Sequence, residues 1–269
     1  YALPRVFGVF FNQNAAPVFL NQEVRKALEM SAPKNKIIQE VLFGFGKALN
    51  GPTPADIDES IDGNVETAKN YLLNNGWKEG DDGILVKKTK SGTTRLAFSI
   101  STTNSDELKQ TAEILKNTWQ QIGAEVTVKV FESGDLSQNV IKPRKYDALL
   151  FGEVVGADTD LYPFWHSSER NDPGLNISLY ANITVDKMLE DIQKTTDQET
   201  INEKKEAITE EIQEDVPAVF LFSPDFIYAP SSNVKNIVLK DVASQNERFL
   251  FINKWFIETD KVWKIFVNN

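Results

Sequence analysis

The chain has 269 residues, 41% hydrophobic and 25% charged, which are globular values and enough length for one large domain or two ordinary ones. Its net charge of −10 argues against nucleic-acid and anionic-membrane partners, both of which need clustered Lys and Arg. The absence of cysteine excludes disulfides, thiol catalysis and thiolate metal sites, and no apolar run approaches the ~18 residues of a membrane-spanning helix.

The first segment, "YALPRVFGVFFNQN", reads as a strand already under way at Tyr1, with no charged and apolar leader before it. Two readings of that start stand side by side: a processed N-terminus, or a piece of a longer chain. Asn21 is placed to cap a helix with Val24, Ala27 and Leu28 on one face. Ser31 and Pro33 begin a second helix that turns Ile37, Ile38 and Val41 inward and ends at Gly44 and Gly46. A turn-rich loop follows, then a helix capped by Asn64, with Val65, Ala68 and Leu72 recurring and Gly76 closing it.

"DDGILVKKTKSGTTRLAFSIS" reads as a hairpin turning at Ser91-Gly92, and its alternating Leu96, Phe98 and Ile100 predict one buried face. Asn104 and Glu107 make a capping pair for a helix carrying Leu108, Ala112, Leu115, Trp119 and Ile122, stopped by Gly123. "EVTVKV" is then a strand parallel to the previous one, in a strand-helix-strand unit. A short helix at 133–141 leads to the buried strand "YDALLFG". Two helical stripes, Val185/Met188/Leu189/Ile192 and Ile201/Ile208/Ile212, precede the buried strand "VPAVFLF". From about Ser223 the chain changes to short extended pieces. The class is α/β with a mixed sheet.

The chemistry concentrates in the irregular segment 157–180, "ADTDLYPFWHSSERNDPGLNISLY", which holds four aromatic residues and the chain's single histidine. No ligand spacing for a metal is present there, and "DTDLYPFWHSSE" lacks the central Gly of a calcium loop. A hydrolase would use Asp158, Asp160 and His166 beside Ser167 and Ser168. The strand-turn-helix elbow of a serine hydrolase and a phosphate-binding loop are both missing. Flat apolar surface mixed with amide, hydroxyl and carboxylate groups is the usual lining of a solute cleft, while Phe164 and Trp165 also suit a core edge.

The order of "VFFNQN", "NQEVRKAL", "NKIIQEVLFGFGKALNGPTP", "AKNYLLNNGW", "YDALLFGEV", "FWHSS", "LNISLYAN", "EDVPAVFLFSP" and "SSNVKNI" resembles the bacterial extracellular solute-binding proteins of family 5. These are the oligopeptide- and dipeptide-binding components of ABC importers. The resemblance covers essentially the whole chain and implies a class II periplasmic-binding-protein-like fold, in which two α/β lobes clamp a solute. Residues 1–222 would be the second lobe. Residues 223–269 would return to a first lobe whose remainder, with a signal peptide, precedes Tyr1. "YALPRVF" and "LFSPDFIY" would then be the crossing strands at the hinge.

The resemblance further implies no catalysis and no cofactor, delivery to ABC permease subunits, and a monomeric whole protein. The setting would be periplasmic or extracellular, free or held by an N-terminal lipid. Asp158 and Asp160 resemble the acidic pair after the "YDALLFG" strand, with Tyr162, Trp165 and His166 completing that connection. Glu153 stands where many members have Trp, and the Asp that holds a peptide's α-amino group in the family is not clearly matched. Asn176, Ser178 and Tyr180 match a cleft-facing polar segment. Asn12 and Asn14 fall near the hinge, or equally form a turn. An oligosaccharide or other non-peptide solute is the alternative cargo. Phe226, Tyr228, Phe249, Phe251, Trp255, Phe256, Trp263 and Phe266 predict a tail that leaves apolar surface exposed and drives self-association.

Overall fold

Seven nearly all-apolar residues, Arg5–Phe11 (β1), can be buried on both faces only in the middle of a sheet, and that is where they lie. The computed structural model describes residues 3–58, 62–89, 92–155, 160–239 and 245–257. β1 pairs antiparallel with Ala148–Val154 (β8) on one side and Ala218–Pro224 (β9) on the other. Gly8 permits that second pairing: a Cβ there would stand 2.9 Å from Val219 O, at the point where the register shifts. β9 in turn pairs with the edge strand Gly46–Ala48 (β2). Beyond β8 come Ala97–Thr103 (β6) and Glu125–Phe131 (β7), giving the order β2-β9-β1-β8-β6-β7.

One face of this sheet carries the first core. Val9, Phe11, Leu150 and Ile100 pack there beneath Gln22–Ser31 (α1), Lys34–Val41 (α2), Val65–Asn74 (α3) and Asp106–Gln121 (α4). The predicted stripe Leu108, Ala112, Leu115, Trp119 and Ile122 is buried throughout, and Gly123 takes φ +94 to end α4. The other face carries a second core of Val6, Phe10, Leu149 and Phe220. It is covered by the turn Ser133–Asp135 (α5) with the π-helix Leu136–Ile141, by Tyr162–Trp165 (α6), by Ile183–Ile192 (α7) and by Gln198–Asp215 (α8). The mixed sheet flanked by helices is the expected class.

Several local expectations shift. Asn21 precedes α1, but its amide donates to Val18 O and leaves the helix uncapped by a side chain. Ser31 ends α1 instead of opening α2, its hydroxyl turned back to Ala27 O. The α4 cap is Ser105, which accepts from Leu108 N, and not the pair Asn104/Glu107. β6 is buried on both faces: Ser99 binds Asp147 Oδ2 through N and Oγ, so the polar side of the alternation is satisfied inside the protein. The hairpin is a separate three-stranded sheet, Lys78–Glu79 (β3), Leu85–Thr89 (β4) and Gly92–Arg95 (β5), pinned to the main body by Leu85 N donating to Gly123 O. Its turn residue Ser91 lies outside the described residues.

Past Pro224 the strand pairing among the described residues is a two-residue one, Val234–Lys235 (β10) with Phe256–Ile257 (β11). Tyr228 and Phe249 both lie against Trp255, with ring centroids 6.1 and 5.8 Å away. Ile227, Leu250, Ile252, Phe256 and Ile257 stay exposed. Trp263 and Phe266 lie outside the described residues.

Candidate functional site

β6, β7, β8 and β9 all run one way and β1 runs the other, so their carboxyl ends gather where β1 begins. The chain enters and leaves the body at that same end: Leu3 N donates to Pro224 O at 3.0 Å, and Ser223 Oγ to Leu3 O. β6 continues through α4 to β7 on one side, while β8 continues through α6, α7 and α8 to β9 on the other. Adjacent strands whose connections part in opposite directions leave a crevice at their carboxyl ends, the usual ligand position in an open α/β sheet.

Exposed polar groups follow directly on two of those strands. Asn104, directly after β6, donates to Glu132 Oε1 at 2.8 Å, and Glu132 directly follows β7. After β8, Val154 is 53% exposed and Asp160 is exposed, its Oδ1 accepting from Tyr162 N to open α6. Asn104 and Glu132 were not legible as site residues, because a cap reading accounted for the first and nothing marked the second. The signal that could have found them is positional: each follows directly on a strand of the parallel unit. Asp158 lies outside the described residues.

Glu153 is at the same end but turned inward. It opposes Val6 across β1 and β8, and opposed residues share a face, so it enters the second core. Burial pushes its carboxyl well above the usual range, and among the described residues Oε2 has no hydrogen-bond partner.

The connection after Asp160 runs under the second core. Trp165 is fully buried among Phe10, Tyr180 and Phe220. Tyr162 stacks on His166 at 4.2 Å. His166 accepts Ser168 N–H at Nδ1, capping the short turn Ser167–Arg170, and its Nε2 lies 3.9 Å from Asp186 and 3.7 Å from Glu190. Asn176 is buried and fully occupied: it donates to His166 O and Tyr180 O and accepts from Ser178 Oγ and Tyr180 N. Tyr180 donates to Asp215 Oδ2 at 2.6 Å; burial first, then this bond, hold its phenol far above the usual range. Asn176, Ser178 and Tyr180 therefore brace the connection and do not line the crevice.

Asn12 and Asn14 fall at the opposite end of the sheet. β1 carries Asn12 roughly 23 Å from Arg5 at about 3.3 Å per residue, so the placement beside the crossing strands is corrected. Asn12 makes a turn there, accepting from Asn14 N and Ala15 N and donating to Arg144 O. Among the described residues no three His, Asp or Glu side chains form a metal-binding group, and no helix is long and apolar enough to cross a membrane.

A mixed sheet entered and left at one end, with its crevice at that end, is the design of one lobe of a periplasmic-binding-protein-like fold. The chain belongs to the bacterial extracellular solute-binding proteins, family 5, whose middle-region profile matches residues 1–172. It is 29% identical over 252 residues to the oligopeptide-binding protein AppA of Bacillus subtilis, covering 89% of this chain and 45% of AppA. It is 26% identical over 249 residues to the probable D,D-dipeptide-binding periplasmic protein DdpA of Escherichia coli, covering 91% of this chain and 46% of DdpA. The structure of AppA in complex with a nonapeptide superposes with TM-score 0.77 at 25% identity, over 96% of this chain and 52% of that one. NikZ of Campylobacter jejuni in complex with Ni(L-His) shares the fold at TM-score 0.76 and 21% identity, over 94% of this chain and 52% of NikZ. The chain thus spans about half the length of the curated relatives it matches.

Proposed function

We propose that this chain is the second lobe of an ABC-importer receptor that captures di- or oligopeptides outside the cytoplasmic membrane and delivers them to permease subunits. The observation that carries the reading is the coincidence of the polar crevice with the entry and exit of the chain, since a second lobe attached there would face Asn104, Glu132 and Asp160. Peptide as cargo is supported by the AppA and DdpA relatives, which are named for oligopeptides and D,D-dipeptides. Ligand contacts are assigned to Asn104, Glu132 and Asp160, with Glu153 beneath them. Trp165, His166, Asn176 and Tyr180 act by holding the connection that carries Asp160. Closure is by hinge bending at the strands that cross between lobes. The lobe boundary is set after Pro224, where β9 ends, and the segment beyond it is assigned to the first lobe.

Absence of catalysis is part of this reading. A hydrolase needs His166 to take a proton from a nucleophile, but Nδ1 already accepts the Ser168 backbone N–H. Ser167 Oγ is engaged with Asp186, and Asp160 with Tyr162 N. Mass spectrometry of solutes released from the purified whole protein tests the cargo. Peptides are expected; an oligosaccharide would overturn the peptide reading while leaving the receptor reading in place.

A further inference from the structure

The loop from α2 to β2 puts two large apolar side chains into solvent: Phe43 is 81% exposed and Phe45 50%. Single exposed aromatics are ordinary, but this backbone is not. Phe43 sits at φ +53, followed by Gly44 at φ +82. The left-handed position just past a helix suits glycine, and in a phenylalanine the Cβ crowds the next carbonyl. Strain of that kind persists where the surroundings over-determine it, and it gathers at clamps and switch regions.

The surroundings here are specific. Gly44 N donates to Ile38 O and Phe45 N to Leu42 O, which fixes the loop to the end of α2. Asp225 N donates to Phe45 O at 3.1 Å, and Gly46 pairs with Pro224. Gly46 fits closely there: a Cβ would stand 2.9 Å from Leu42 Cδ1 and 3.1 Å from Ser223 O, so a larger residue would have to push both neighbours aside. The backbone that carries the two phenylalanines is thereby held beside the residue at which the chain leaves the body, with both side chains exposed.

We propose that Phe43 and Phe45 form an apolar contact for the opposite lobe of the whole protein, beside the hinge, and so set the balance between open and closed forms. This rests on the two-lobe reading given above. Relatives of about twice this length supply the chain for such a lobe. The strand order separates the loop from the solute crevice, because β9 and β1 stand between β2 and β8. A contact on that flank acts on lobe position without touching solute. Buried rings favour whichever arrangement covers them, and a ligand-independent contact of this sort shifts populations.

The experiment uses the whole protein with one dye on each lobe. Inter-lobe distances are read by single-molecule energy transfer, without ligand and with a synthetic nonapeptide pool. For Phe43→Ser/Phe45→Ser the open-to-closed ratio without ligand is expected to change at least about fivefold, and apparent nonapeptide affinity to move by a similar factor. In the 269-residue chain the same pair is expected to leave the melting temperature unchanged, and Phe43→Gly to raise it by relieving strain. Unchanged distances in a protein that otherwise closes normally would overturn the proposal, as would a marked melting loss in the 269-residue chain. A change confined to sedimentation would assign the rings to a second copy and also overturn it. A wild-type protein that closes on no peptide would sink the cargo reading, and the unliganded distances would still decide the loop.

Discussion

Glu153 and Arg25 are both ionisable residues in buried places, and they behave oppositely because among the described residues Glu153 Oε2 has no hydrogen-bond partner while Arg25 is surrounded by carbonyls. The Glu153 carboxyl is raised well above its unfolded value by burial, so the native state keeps a proton that the unfolded chain releases. Its contribution to stability is complete below the unfolded pKa and is lost as pH rises through the folded one. Glu153→Gln is therefore expected to match wild type near pH 4 and to be progressively more stable toward pH 8, in urea melts across that range. A wild-type advantage that grows with pH would show an ionised, partnered Glu153. Arg25 instead donates to Phe19 O, Asp215 O and Val216 O, tying α1 to the end of α8, where Val216 turns at φ +48. Arg25→Met strands those carbonyls and should lower unfolding free energy by about 3 kcal/mol. Lysine should not restore it, because a single ammonium cannot span the same fork. Neither role was readable along the chain. Two of the three carbonyl partners of Arg25 lie 190 and 191 residues away, and the direction of Glu153 depends on its register against Val6.

At the scale of elements, legibility followed how local the determining interaction is. Amphipathic stripes such as that of α4, the Asn64 cap accepting from Thr67 N, and the left-handed Gly76 are set within a turn or two of chain, and all were expected. β2 was missed because three residues carry no period, and it is a strand only through its pairing with β9. The α4 cap slipped by one residue for a related reason. β6 extends to Thr103 because Phe131 of β7 pairs with it, so Asn104 is released toward Glu132 and Ser105 becomes the cap. The one-residue slip separates the two side chains by function. Ser105→Ala should cost up to about 1 kcal/mol in thermal unfolding and leave solute affinity nearly intact. Asn104→Ala should change stability by less than about 0.5 kcal/mol yet weaken peptide binding by the whole protein. The reverse pattern would return Asn104 to a capping role and remove it from the crevice.

For the molecule as a whole, the two-lobe reading gives the crevice only one of its walls in these 269 residues and assigns the tail's cover to the opposite lobe, and both parts of that reading can be tested on this chain. Asn104 and Glu132 lie exposed at the end of a single sheet, and Asp160 is exposed at the start of α6. A site that encloses most of a ligand needs a facing wall, and half a clamp forfeits about half of the buried surface. Calorimetry with nonapeptides should find no micromolar binding to this chain, whereas the whole protein is expected to bind them; micromolar affinity here would mean that one lobe suffices. The tail answers to the same geometry. Tyr228 and Phe249 gather around Trp255, with Arg248 4.2 Å over Phe249, while Ile227, Leu250, Ile252, Phe256 and Ile257 stay exposed. Exposed apolar surface of this kind, which the two-lobe reading assigns to the opposite lobe, drives association where it is left uncovered. Light scattering over a dilution series should therefore report concentration-dependent oligomers, and a chain ending at Pro224 should stay monomeric. Because the six-stranded sheet is complete by Pro224, the shortened chain should keep its melting temperature within about 4 °C, equivalent to less than about 1 to 2 kcal/mol at this size. A strictly monomeric full chain together with a much less stable truncation would make the tail part of this lobe, and the boundary after Pro224 would have to move toward the C-terminus.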